Sequence, residues 1–258
     1  MEIITSKNNA AVMAAAKLAD KKYREREKKF AFEGIKLFEE AQRAGVRFSR
    51  VFVTEDAYEK YAEKLSVLGA NVLTVVSDAV YEKLSFENAP QGVFSVAEYF
   101  SPQTKKEASF VLLLDGVADP GNFGAVLRSA EAFGVDSVYT GKNGADLYNP
   151  KTVRACMGSI FRMNVRRSES IADDIRALQK DGFRVFATAL DKRSQDIRKA
   201  DFSGKIAFVI GNEGHGVSAE VLEACDSTLI IPMHEGPESL NAAVAASVAM
   251  WEIARGRL

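Results

Sequence analysis

The sequence predicts an α/β protein in which a C-terminal domain built on a parallel sheet follows a small three-layer α/β domain. Three observations carry this expectation. Short β-branched and aromatic runs alternate with stretches of helical character along most of the chain, the order that builds layered α/β domains. Phe110-Val111-Leu112-Leu113-Leu114 is a continuous apolar run of the kind found in parallel strands buried on both faces. Between the two patterned regions lies Ser101-Pro102-Gln103-Thr104-Lys105-Lys106-Glu107, polar and carrying a proline, the most linker-like stretch in the chain. The expected division is residues 1 to 100, a linker over 101 to 109, and residues 110 to 258.

Taken in order, Ile3-Ile4-Thr5-Ser6 leads into a helix through Ala10 to Ala19 and then a basic run. Eight cations (Lys7, Lys17, Lys21, Lys22, Arg24, Arg26, Lys28 and Lys29) face four acids in the first thirty residues. The run is either a solvated helix face or an arm that contacts phosphate, with Lys21, Lys22, Arg24 and Arg26 as the contacts in the second case. From Phe30 the pattern gives a helix over Glu33 to Ala44, a strand at Val51 to Val53, a helix over Ala57 to Leu68 and a strand over Val72 to Val76. A helix over Ala79 to Leu84 and a strand around Gly92 to Val96 complete it. No residue in this part reads as catalytic.

In the larger domain, Asp115 to Gly124 reads as a loop, with a turn forced by Pro120 and Gly121, and a helix from Ala125 to Phe133. Arg128 then falls in the first helical turns, where the helix dipole disfavours a cation. That gives Arg128 either an anion-facing or RNA-facing task or plain surface placement. A strand at Ser137 to Tyr139 precedes Asn149-Pro150, a helix start. Between Leu147 and Ser168 stand five basic residues (Lys151, Arg154, Arg162, Arg166, Arg167) and no acid, the strongest phosphate-binding candidate in this domain. A helix over Ile171 to Lys180 and a strand over Arg184 to Thr188 follow. About six strands with intervening helices imply a parallel sheet.

The stretch from Phe208 to Ile253 is the one around which the chain is organised. A strand (Phe208, Val209, Ile210) runs into Gly211-Asn212-Glu213-Gly214-His215-Gly216, and a second strand (Leu229, Ile230, Ile231) runs into a polar loop through Asn241. In α/β sheets such strand-end loops are where ligands sit. Ser239 and Asn241 are both good N-caps for the following helix, but only one can cap it, so the other is left for a different task. From Ala242 to Met250 that helix is almost wholly apolar and mostly small, as in a core or a subunit interface.

Composition narrows the function. Hydrophobic residues at 47% and charged residues at 27% describe an ordinary globular protein. Thirty-four Lys plus Arg against 35 Asp plus Glu leave no global footprint for a polyanion, so any nucleic-acid contact must be local. Cys156 and Cys225 lack CxxC spacing, and the two histidines, His215 and His234, are too few for a metal cluster or a His-based triad. No signal-peptide pattern and no run of roughly 18 apolar residues occurs, so the expectation is a cytoplasmic protein without membrane or metal. No GxGxxG follows the first strand of the larger domain, and GxxxxGK[ST] is absent, which excludes a Rossmann dehydrogenase and a P-loop enzyme.

Three segments taken together are more specific than any of these. Asp119-Pro120-Gly121-Asn122-Phe123-Gly124 with Arg128, Ile210-Gly211-Asn212-Glu213-Gly214 with Gly216, and Ile231-Pro232-Met233 with Ser239-Leu240-Asn241 form an ordered set. In order and spacing they resemble the three motifs of the SpoU (TrmH-like) RNA ribose 2′-O-methyltransferases. Asn149-Pro150-Lys151 with Arg154, Met157 and Gly158 is similar to a further segment of that family. Ala242 and Ala243 depart from it, standing where larger or hydroxylated residues are expected.

The resemblance implies a trefoil knot made by threading the C-terminal segment through a loop. It implies a site for S-adenosylmethionine lined by Thr188, Ala189, Gly211, Ile231, Met233 and Leu240, largely through their backbones. It implies a homodimer in which Arg128 faces the other subunit's cofactor. Arg128 is the residue expected to activate the ribose hydroxyl, and its guanidinium suits a cationic role better than that of a base. Asn122, Glu213, Ser239 and Asn241 are expected to hold the loops and the ribose. RNA contacts would come from Lys21, Lys22, Arg24, Arg26, Lys151 and Arg154. The N-terminal domain favours ribosomal over transfer RNA, and a non-catalytic RNA-binding relative is the reading from another class.

Overall fold

The computed structural model describes residues 3–100, 107–189, 194–234 and 239–257. The chain divides into two compact units, Met1–Ser101 with Tyr148–Phe161, and Pro102–Leu147 with Arg162–Leu258.

The smaller unit contains β1 (Ile3–Ile4), α1 (Ala10–Ala16), α2 (Lys21–Glu27), β2 (Lys29–Glu33), α3 (Ile35–Arg43), β3 (Phe48–Val53), α4 (Glu55–Lys60), α5 (Ala62–Leu65), β4 (Leu73–Val76), α6 (Asp78–Leu84) and β5 (Val93–Glu98). Its sheet runs β1-β4-β3-β5-β2, with β5 antiparallel to both β3 and β2. Alternate side chains of each strand enter different cores. Phe52, Val76 and Phe94 pack with Val12 and Leu18 on one face, while Val51, Val53, Val75 and Val93 pack with Phe38 and Leu65 on the other. That is the three-layer arrangement the alternation predicts.

β2 was not legible as a strand. Sequence pattern starts a helix at Glu33, whereas Lys29–Glu33 is extended and Gly34, at φ 97, turns the chain into α3. Ala31 and Phe32 face opposite layers, so Phe30-Ala31-Phe32 is buried throughout and carries no period-two signal.

The larger unit contains β6 (Phe110–Asp115), α7 (Pro120–Ala132), β7 (Ser137–Thr140), β8 (Asn164–Arg167), α9 (Ile171–Lys180), β9 (Arg184–Thr188), β10 (Gln195–Asp196), β11 (Ile206–Gly211), α10 (Ala219–Ala224), β12 (Ser227–Ile230) and α11 (Ala242–Ala254). The remaining helix, α8 (Pro150–Ala155), packs on β2 and belongs to the smaller unit. The segment around it, read from sequence as part of the larger domain, is held by aromatic contacts. Tyr148 stacks on Tyr99 with ring centroids 3.9 Å apart, and Phe161 sits against Phe32 at 5.4 Å.

The larger sheet is parallel, in the order β10-β12-β9-β11-β6-β7-β8. From β6 the chain moves outward through β7 and β8, then crosses to the opposite side of β6, forming β9 and β10 before β11 fits between β9 and β6. The strand order therefore reverses between β6 and β11, the position where open α/β sheets bind ligands at strand C-termini. Asp115 and Gly211 are in register there, so the loops leaving both strands lie side by side. One face of the sheet is covered by α9 and Val217 and Val221, and α11 packs on α7 and against β11. The loops needed to trace the expected knot include residues 190–193 and 235–238, and the expected linker includes 101–106; both lie outside the described residues.

Candidate active site

Motif one opens α7 rather than preceding it. Asp119 is the N-cap, its Oδ1 accepting from the Asn122 amide at 2.8 Å, and Pro120 takes the first helical position, where no amide hydrogen is needed. The helix therefore begins five residues before the expected Ala125, and Arg128 lies in its third turn. The dipole penalty assigned to Arg128 does not apply at that position. Arg128 is exposed and has no hydrogen-bond or ion-pair partner among the described residues.

Motif two is a tight hairpin at the end of β11. Asn212 and Gly216 exchange backbone hydrogen bonds of 2.9 Å, and Gly216 has φ 69. A β-carbon on Gly211 would lie 2.1 Å from the carbonyl carbon of Gly216 and 2.2 Å from the amide nitrogen of Val217, so only glycine fits. Asn212, which sequence reasoning named without a role, organises the turn. Its Oδ1 accepts from the Gly214 and His215 amides at 2.9 and 3.2 Å, and its Nδ2 donates to the Gly116 carbonyl at 2.8 Å. The His215 ring is tied to the same Oδ1 through Nδ1 at 3.2 Å.

Glu213 links this hairpin to motif one. Its carboxylate accepts from the amides of Ala118 at 3.1 Å and Asp119 at 3.2 Å and from Asn122 Nδ2 at 3.0 Å. Partial burial pushes its pKa up, but these hydrogen bonds outweigh it and hold the carboxyl below its ordinary value. Asn122 passes the connection on, its Oδ1 accepting from Asn241 Nδ2 at 3.0 Å. Asn241 is the N-cap of α11, accepting from the Ala243 and Val244 amides at 2.9 and 3.3 Å. One chain of side-chain hydrogen bonds thus joins all three motifs. Asn241 being the cap, Ser239 is the residue left over, exposed and without a hydrogen-bond partner among the described residues.

At the C-terminal ends of β9, β11 and β12 lies a cleft of about 1160 Å³. Thr188, Ala189, Gly211, Ile231, Met233 and Leu240, the residues expected around the cofactor, all line it, together with Glu213 and Ser239. Leu229, Ala242 and Ala245 add to the apolar wall, so the small residues after Asn241 give the cleft room. Among its described lining residues there is no Lys or Arg, while Glu213, Glu223 and Asp226 are present. A phosphorylated nucleotide would meet no cation among the described lining residues. An adenosyl ligand bearing sulfonium and ammonium charges meets carboxylates and an apolar wall, which is the chemistry of S-adenosylmethionine. Cys225 also lines the cleft, but burial, then the charges of Asp226 and Asp115, push its thiol up to about 12, so it is no nucleophile.

Comparison with known proteins identifies the family. The SpoU rRNA Methylase family profile matches residues 109–251, and that of an MRM3-like substrate binding domain matches residues 9–95. The chain belongs to the SpoU rRNA methylase family. It is 34% identical to the 23S rRNA (guanosine(2553)-2′-O)-methyltransferase RlmP of Bacillus subtilis over 98% of this chain and 99% of that protein. The AdoMet-bound rRNA methyltransferase of Sinorhizobium meliloti superposes with a TM-score of 0.87 at 28% identity, covering 100% of this chain and 98% of that one. The SpoU methyltransferase AviRb of Streptomyces viridochromogenes in complex with AdoMet gives 0.86 at 27% identity, covering 97% and 98%. S-adenosylmethionine is accordingly the cofactor of this SpoU protein.

The expected RNA contacts fare unevenly. Arg24 is a correction: it is 1% exposed, and its guanidinium donates to the carbonyls of Leu18 at 2.7 Å and Ala19 at 2.6 Å. It ties the turn after α1 to α2 and cannot reach a phosphate. Lys21, Lys22 and Arg26 are exposed; Lys21 pairs with Glu25 at 3.7 Å, and Arg26 pairs with Glu27 and lies over the Tyr23 ring. The acid-free stretch from 147 to 168 is also not a basic patch in space. Arg154 pairs with Glu87, Arg162 with Glu131 and Arg166 with Asp174, each acid coming from another element. Lys151 remains exposed without a carboxylate partner among the described residues, and Arg167, also exposed, donates to the Lys142 carbonyl at 2.6 Å and acts on the nearby Glu169 carboxylate. No helix among the described residues is long and apolar enough to cross a membrane, and no group of three or more described His, Cys, Asp or Glu side chains is placed to hold a metal.

Proposed function

We propose that this protein transfers a methyl group from S-adenosylmethionine to a ribose 2′-hydroxyl of ribosomal RNA. The observation that carries it is the hydrogen-bonded chain Glu213–Asn122–Asn241 beside a cleft whose lining suits that cofactor. When bound, S-adenosylmethionine supplies a methyl group on an electrophilic sulfonium. Thr188, Ala189, Gly211, Ile231, Met233 and Leu240 hold it at the strand ends. Glu213 and Asn122 set the position of α7 against the cleft, and through α7 the position of Arg128. Glu213 serves as a loop anchor rather than as a base, because its lone pairs are engaged and its pKa is lowered. Arg128, cationic at neutral pH, faces an RNA phosphate or the developing alkoxide, where positive charge favours loss of the hydroxyl proton. Ser239, whose hydroxyl has no partner among the described residues, contacts the cofactor or the ribose.

The N-terminal unit, matching a substrate-binding domain, and the ribosomal substrate of the Bacillus relative favour ribosomal over transfer RNA. Residues 1 to 100 then serve as the RNA-recruiting part and 110 to 258 as the knotted catalytic part, acting in the cytoplasm. A homodimer is supported by α11, whose Val244, Val248 and Trp251 are 49%, 39% and 50% exposed at a spacing that places them on one stripe. Labelled methyl transfer to separated ribosomal and transfer RNA pools tests the reading. Label in the ribosomal pool is expected; label only in the transfer RNA pool would reverse the substrate assignment, and failure to bind S-adenosylmethionine while RNA still binds would favour a non-catalytic relative.

A further inference from the structure

We propose that Met157, with Lys151 and Arg154, forms a ridge that grips the RNA substrate, the Met157 side chain packing on an unpaired base. The proposal rests on the RNA methyltransferase reading above and adds a contact residue to it. Met157 stands at the position after the C-cap of α8, with φ 49, and Gly158 follows with φ 94. Glycine is the residue that normally takes the left-handed conformation at a helix end, because a β-carbon there crowds the backbone. Gly158 has a packing reason to be glycine, since a β-carbon would sit 3.0 Å from Cβ and Cγ of Glu40. Position 157 has the opposite character. It carries a long apolar side chain in a backbone state that disfavours one, and that side chain is 46% exposed. Burial in the core therefore does not explain why a methionine stands there.

Its neighbours indicate what does. Thr152, Val153, Cys156 and Ser159 are buried, whereas Lys151, Arg154 and Met157, spaced three apart, are all exposed. Lys151 has no carboxylate partner among the described residues. Arg154 pairs with the more sheltered Glu87, but its own side chain is 68% exposed, which leaves its outer face open to a phosphate. Two cations beside one polarizable apolar side chain match unpaired RNA, which offers phosphates on one side and a base face on the other. A protein partner would require a broader apolar patch than one residue supplies.

The test compares Met157→Gly, Met157→Leu and the wild type, using in vitro transcribed 23S ribosomal RNA in filter binding and methyl transfer. Met157→Gly relieves the backbone, so it is expected to melt no lower than the wild type and to bind S-adenosylmethionine equally well. Its Kd and KM for the RNA are expected to rise about five-fold, the lower end of what a side chain stacked on a base contributes, with kcat at saturating RNA unchanged. Met157→Leu is expected to restore binding. Unchanged RNA affinity in Met157→Gly would overturn the proposal. Absence of methyl transfer by the wild type would count against the enzymatic reading instead, and filter binding would still decide the ridge.

Discussion

Replacing Glu213 by glutamine should loosen the joint between motifs one and two in a way that depends on pH. The carboxylate accepts three hydrogen bonds, from Ala118, Asp119 and Asn122, and a glutamine amide can present its oxygen to only one side. Hydrogen bonds to a charged acceptor are worth roughly 1.5–3 kcal/mol each when sheltered, but Glu213 is largely exposed and water competes, so the total loss is taken as about 1–2 kcal/mol. For a chain of this size that corresponds to a Tm lowered by about 3–6 °C at pH 7. The folded carboxyl titrates below its ordinary 4.5, so its stabilisation is fully present above that value and is lost as pH falls through the lower, folded one. Differential scanning calorimetry of wild type and Glu213→Gln should therefore show a constant gap in Tm at neutral and mildly acidic pH, closing below 4.5. A gap undiminished at the lowest pH where both fold, or no gap at pH 7, would refute the anchoring role.

Other outcomes follow from single contacts. Gly211→Ala sets a β-carbon against backbone atoms at 2.1 to 2.4 Å, so the hairpin must open. Calorimetry should find S-adenosylmethionine binding abolished and stability lowered by about 2 kcal/mol or more. Arg24→Met leaves the Leu18 and Ala19 carbonyls without their donor, and circular dichroism should record a loss of about 2–4 kcal/mol. The RNA affinity of whatever Arg24→Met protein remains folded should match the wild type, since Arg24 is not a phosphate contact. Trp251→Lys with Val248→Glu places charge on the exposed stripe of α11; the proposed dimer predicts that the wild type sediments as a dimer and this variant as a monomer.

Much of this was readable from residues. Continuous apolar strands such as Phe110–Leu114 announced the parallel sheet, and the alternation of short strands with helices from Phe30 to Val96 announced a layered smaller domain, because burial geometry imposes those patterns directly. That ligand-facing loops leave the strand ends was legible because strand ends in a parallel sheet converge there, while the six particular lining residues came from the resemblance to the SpoU motifs. What failed were readings in which the folded geometry, rather than composition, decides. Asp119-Pro120-Gly121-Asn122 has turn composition, yet the Asp cap and the proline start a helix, which moved Arg128 from the first turns to the third. The charge run from Lys151 to Arg167 looked unopposed until Glu87, Glu131 and Asp174 were brought to it by folding. Arg24 sat in a basic run and proved to be buried among carbonyls, a fate its charge did not announce. The choice between Ser239 and Asn241 as cap was open in sequence, and geometry settled it for Asn241.

The most direct test of the central claim is to map the methylated product by its resistance to alkaline cleavage, which requires a free 2′-hydroxyl, using ribosomal RNA treated with wild type or Arg128→Ala. The expected result is one nucleotide that becomes resistant with the wild type, with the rate lowered by about 100-fold or more in Arg128→Ala while S-adenosylmethionine binding is retained. Label incorporated into RNA that stays fully sensitive to alkali would place the methyl group on a base, and would contradict ribose 2′-O-methylation.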